Sequence, residues 1–155
     1  MTDAKIATGA EQPINRHGAV AGETMEQGDL VGIDADGHMV HATADANGPQ
    51  MALGVCMTAA DELENYNANV VKLVIESERA LVGRDRVSAV SNGVEVENGD
   101  RDWEFTPGQP VYLGESGEYT QTAPSTAGAL VQIVGTALTA ERIRLDVRPS
   151  HEIAA

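Results

Sequence analysis

Apolar and polar positions alternate in short runs along most of this chain. Ile143, Leu145 and Val147 are separated by Arg144, Asp146 and Arg148, the period of two that marks a strand with one buried face. Val111 to Leu113 is a short apolar run, Gly114 to Gly117 a glycine-bounded turn, and Glu118 to Thr122 a polar return strand. Pro124 to Gly128 reads as loop, and Leu130 to Leu138 as a long apolar strand interrupted at Gly135. The same order of signals occurs earlier. Gly28 to Gly37 aligns with Gly108 to Gly117 at an offset of 80, and Leu53-Gly54-Val55 with Val134-Gly135-Thr136 at an offset of 81. Val71, Leu73 and Ile75 answer Ile143, Leu145 and Val147 at an offset of 72, which puts a nine-residue insertion in the Asn-rich stretch Asp61 to Asn69. Two pseudo-repeated β units follow, about 25–76 and 105–148.

The remainder is punctuated in the same way. Met1 to Gln12 is small, polar and aperiodic and reads as a flexible arm. Pro13 to Val20 is weakly strand-like. Thr58 to Tyr66 carries a cap and early acids that suit one helical turn. Arg79 to Phe105 joins the units through short strand candidates and the turns Asn92-Gly93 and Asn98-Gly99. Pro149 to Ala155 reads as a loose tail. No stretch sustains a helical apolar period, so the expected fold is all-β. It is a small barrel or sandwich of roughly ten short strands in one domain, 13–148. The expected core is Val31, Ile33, Leu53, Val55, Val71, Leu73, Ile75, Val111, Leu113, Val131, Ile133, Ile143, Leu145 and Val147, shared by both units.

Composition narrows the function classes. The 155 residues hold 10 Lys and Arg against 24 Asp and Glu, a net charge of −14. Lysine occurs only at Lys5 and Lys72. An acid excess spread over the whole chain repels itself in dilute buffer, and molar salt screens it. Many acids, few lysines and few large aromatics resemble proteins of salt-in halophiles. Phosphate binding needs a basic patch, so direct nucleic-acid binding is disfavoured; an acidic mimic of nucleic acid needs its acids gathered on one face. No apolar run approaches the ~20 residues of a membrane-spanning helix, and the N-terminus lacks a signal-peptide pattern. Cys56, the one cysteine, sits in an apolar strand and is expected to be a buried, inert thiol.

Candidate chemistry is sparse. Asp34-Ala35-Asp36-Gly37 resembles the start of a calcium loop but lacks the later ligands, so a plain hairpin turn is the better reading. His38 and His41 stand three apart on a strand and face opposite ways, which prevents a shared metal. His17 and His151 have no partner histidine nearby, and Ser116 lies in a turn without a nucleophile elbow. With no phosphate loop or dinucleotide fingerprint, the expectation is a protein without catalytic, metal, cofactor or small-molecule substrate sites. Trp103 and Phe105, the only Trp and Phe, either anchor a partner or plug one end of the fold. Together with Ile14 and Arg16 near the arm, they are the candidate partner contacts.

The two copies of the pattern, Gly28 to Met39 with Leu53-Gly54-Val55 and Gly108 to Tyr119 with Val134-Gly135-Thr136, resemble capsid decoration or cement proteins of tailed viruses. With the acid-rich composition, the resemblance points to a virus of haloarchaea. It implies a β-barrel on the outer capsid surface of the virion, often a homotrimer, made in the host cytoplasm and bound to the major capsid protein. Tail-tube or baseplate modules share such small β folds, and a nucleic-acid mimic or a small halophilic enzyme are the readings from other classes.

Overall fold

The computed structural model describes residues 4–8, 16–61, 80–98 and 103–154. Every regular element among them is a strand. In chain order these are β1 (Ala4–Thr8), β2 (Arg16–Val20), β3 (Leu30–Ile33), β4 (Met39–His41), β5 (Gly54–Cys56), β6 (Ala60–Asp61), β7 (Ala80–Leu81), β8 (Arg86–Val90), β9 (Asn92–Asn98), β10 (Pro110–Leu113), β11 (Tyr119–Thr120), β12 (Leu130–Val131), β13 (Ile133–Thr139), β14 (Arg142–Asp146) and β15 (His151–Glu152). A six-stranded sheet runs β1-β9-β14-β13-β10-β11, and a five-stranded sheet runs β2-β8-β5-β3-β4. Two small sheets, β12-β15 and β6-β7, complete the set. Neither large sheet closes on itself among the described residues, so the architecture is the sandwich rather than the closed barrel.

The chain passes from one large sheet to the other at Ser91, between β8 and β9. Such a corner lets neighbouring residues of one strand serve two layers. The main core takes Leu30, Val55 and Val90 from the five-stranded sheet and Val96, Val111, Leu113, Ile143 and Leu145 from the six-stranded sheet. A second core lies on the other face of the five-stranded sheet, where Val31, Cys56, Ala89 and Met39 meet Met25, Ala60 and Ala80. The single shared core expected from sequence is therefore two clusters. Adjacent residues such as Leu30 and Val31 enter different ones, as the alternation of a strand requires.

The two units make the same backbone hydrogen bonds. Gly28 N donates to Cys56 O at 2.9 Å, and Gly108 N to Ala137 O at 2.8 Å. Cys56 N donates to Asp29 O, and Ala137 N to Gln109 O. The hairpin turns close through Gly37 N to Asp34 O and Gly117 N to Gly114 O, with the glycines at φ +84° and +81°, a conformation that a side chain would strain. Leu30 faces Val55 as Pro110 faces Thr136. The fourth strand of the first unit differs from the expectation: β8 lies beside β5 where β14 lies beside β13. Val71, Leu73 and Ile75 fall outside the described residues, as does most of the stretch read as a helical turn.

Other sequence expectations are corrected at the ends of the chain and along one strand. Within the stretch read as an arm, Ala4–Thr8 pairs antiparallel with β9. The stretch read as a loose tail contributes β15, paired with β12 through Leu130↔Glu152 and Val131↔His151. Val131 and Ile133 are only half-buried, because the residues that enter the core are Leu130, Gln132 and Val134. Leu53 is also half-buried, between the buried Ala52 and Gly54.

Candidate functional site

The partner contacts expected from the sequence separate in space. Phe105 is buried in the main core, and Trp103 packs half-buried on its rim. The Trp103 ring lies 4.9 Å from the Phe105 ring and 5.2 Å from the Tyr119 ring, a tilted trio that seals one side of that core. Arg16 opens β2 opposite Val90. Ile14 lies outside the described residues.

The Asp34 turn gathers acids without holding them open. Ligand atoms of Asp34, Asp36 and His38 come within 4.8 Å of one another. Asp34 Oδ1, however, already accepts the Asp36 and His38 amides, both at 2.9 Å. This is an Asx turn, in which the carboxylate stands in for a backbone acceptor. In the second unit Gly114 replaces Asp34, and the carboxylate comes from the other side: Glu118 Oε1 accepts the Ser116 amide at 2.9 Å. A Cβ on Gly114 would collide with that Glu118 carboxylate. Glu115, Glu118, Thr120, Thr122 and Ser125 line an open cleft of about 210 Å³ beside this turn.

One cluster that sequence reasoning missed joins three elements. Asp29, at the entrance to β3, is only 5% exposed. Its Oδ2 accepts the Glu26 amide at 2.8 Å and lies 3.0 Å from His41 Nε2 on β4. The other ring nitrogen of His41, Nδ1, lies 3.3 Å from Glu23 Oε2. The hydrogen bond to Asp29 holds the His41 pKa above the ordinary histidine value; burial opposes this, and the charges of Asp29 and Glu23 add to it. Two neutral groups pack behind Asp29. Tyr119 donates its hydroxyl to Gly28 O at 2.6 Å, and burial raises its phenol well above the usual range. Burial pushes the Cys56 thiol up to about 12, with the thiol bonded to Thr58 O at 3.0 Å. A thiol so protonated is a poor nucleophile. The repeat carried a signal for this cluster: Asp29 and His41 both become glutamines, Gln109 and Gln121, 80 residues on.

A hydrogen-bonded seam runs between the units. Gln132 is buried, and its side chain accepts from Ala52 N at 2.7 Å and donates to the carbonyls of Ala52 and Arg148, each at 2.8 Å. Thr43 Oγ1 donates to Glu115 O, Ala44 N to Gly114 O, and Leu130 N to Ala44 O. No buried side-chain polar atom among the described residues lacks a partner. On the far side of the six-stranded sheet, Arg142 is placed between Glu95 and Glu97 of β9, at 3.3 and 3.0 Å.

Fold and clusters together define an all-β sandwich of two like units, stitched by buried hydrogen bonds. No family model matches the chain, and no curated protein matches it significantly. Among solved structures, one described as "Mycobacterium phage Patience" superposes with a TM-score of 0.42 at 12% identity, over 100% of this chain and 99% of that one.

Proposed function

We propose that this protein is a structural component of a tailed-virus particle, a decoration or cement protein that binds the outside of the capsid shell and stabilises it without catalysis. The observation that carries the reading is the doubled hairpin unit, Gly28 to Met39 and Gly108 to Tyr119, whose sequence pattern resembles that family. The seam supports it. A module that braces a shell must transmit load between its parts, and buried hydrogen bonds between the units resist their sliding. A ligand that prefers the closed shell stabilises that state by linkage, so binding alone suffices. Threefold positions between capsomers would suit a cyclic homotrimer seated on the major capsid protein.

The test is made on purified particles. We expect the protein on the head, in fixed ratio to the major capsid protein, and particles stripped of it to lose DNA at a lower temperature until it is added back. Its absence from particles, or its presence in the tail alone, would overturn the reading.

A further inference from the structure

β4 is an edge strand, and its outward backbone groups are covered by the segment 21–25. Gly22 N donates to Met39 O at 2.8 Å, and His41 N donates to Glu23 Oε2 at 2.8 Å. A parallel bridge between Ala21 and Met39 and an antiparallel one between Met25 and Ala60 fix the segment at both ends. Its central grip is a carboxylate, and that carboxylate also faces the His41 ring.

The ring stands between acids from two different elements, Glu23 on the covering segment and Asp29 before β3. Both acids raise its pKa, and burial alone opposes them. A neutral imidazole has one N–H and one lone pair, whereas the imidazolium has two N–H groups. Only the imidazolium can donate to both carboxylates. Asp29 is the more buried of the two and loses more if left unpaired, so a neutral ring keeps its proton on Nε2. Nδ1 then turns a lone pair toward Glu23, and attraction becomes repulsion.

The second unit supplies a comparison within the same molecule. Gln121 occupies the place of His41. It accepts the Thr106 amide at 2.8 Å and donates to Thr106 O at 3.0 Å and Gln109 O at 3.3 Å. The turn 106–109 is thus held by a neutral amide, while its twin, the turn 26–29, is held by the charged pair. Trp103, 80 residues after Glu23, packs on Tyr119. One unit has a grip that loss of a proton can open, and the other has at the same position a neutral amide that does not titrate.

We propose that His41 is a proton-operated clip: the imidazolium fastens the segment 21–25 over the edge of β4, and loss of the Nδ1 proton releases it. Release bares the Met39 carbonyl and the His41 amide, the kind of edge groups that pair with another extended chain. The clip adjoins the seam, because the turn that Asp29 anchors accepts the Tyr119 hydroxyl at Gly28. Cys56 and Tyr119 stay protonated through the range in which His41 titrates. The sign follows from the raised folded value. The clip's stabilisation is fully present below the ordinary histidine pKa of about 6.5 and is lost as pH rises through the folded value.

The experiment is an NMR titration of the full chain in molar KCl, which suppresses the general field of the acids. We expect His41 to titrate above the ordinary histidine value of about 6.5, and Glu23→Gln to move its midpoint toward that value. Protection of the Gly22 and His41 amides from exchange should fall as pH passes the His41 midpoint. His41→Gln, which copies the second unit, should leave the Gly22 protection independent of pH. A His41 midpoint at the ordinary histidine value, or one that Glu23→Gln leaves in place, would overturn the proposal. So would Gly22 protection that ignores pH in the native chain. Glu23→Gln alters a partly exposed side chain, so it keeps the test decisive if His41→Gln fails to fold.

Discussion

Two glycines show how single atoms fix this fold. A Cβ on Gly54 would run into the Val90 carbonyl oxygen, and one on Gly135 into the Arg144 carbonyl oxygen. Each glycine lets the next strand approach closely at the same point of its unit. Both appear in the sequence as an apolar run broken by glycine, but the reason is the neighbour, which the sequence does not place. Leu145 makes the complementary case. It is readable as core from alternation alone, and it is 1% exposed beside Ile143 and Val96 in the main cluster. Leu145→Ala should cost ~2–5 kcal/mol, the range for emptying a buried leucine site. Urea unfolding measures it, and a cost near zero would mean that the core closes around the gap.

At the scale of elements, a polar side chain does the work of a strand. Gln132 presents one acceptor and two donors to Ala52 and Arg148, so the loop before β5 joins the second unit without a ladder of its own. The stretch Leu130 to Val134 is apolar on both parities, which leaves its phase open to alternation. Burial of Gln132 settles it, because a buried amide needs partners and finds all three here. Gln132→Leu keeps the volume and strands those backbone groups. Each buried group left unpaired costs about 1–3 kcal/mol, so the midpoint of urea unfolding should fall clearly. An unchanged midpoint would mean that water replaces the amide. The ends of the chain teach a related lesson. β1 and β15 sit in segments too short and polar to look like strands, and each is defined by the strand that receives it.

Over the whole molecule, charge and architecture pull apart. The net charge of −14 opposes compaction in dilute buffer, while the two cores and the seam oppose unfolding. Like charges interact over about 10 Å at 0.1 M salt and about 3 Å at 1 M. The melting temperature should therefore rise between those conditions, in KCl as in NaCl. A flat or falling curve would show that the acids are already compensated locally, as Arg142 compensates Glu95 and Glu97. The His41 clip adds a dependence of opposite character, since it tightens as pH falls.

The all-β class, the two hairpins, the turn glycines and the inward residues of β10 and β14 were determined by the sequence, because each depends on neighbours within about ten positions. Alternation and turn chemistry act at that range. The tertiary structure decided the rest. It chose the open sandwich over the barrel, placed β8 beside β5, divided the interior into two cores, and turned Trp103 onto Phe105 and Tyr119. It also brought Glu23, Asp29 and His41 to one point. Those outcomes rest on pairings between residues far apart in the chain, and a strand's own pattern says which face it buries but not which strand it will meet.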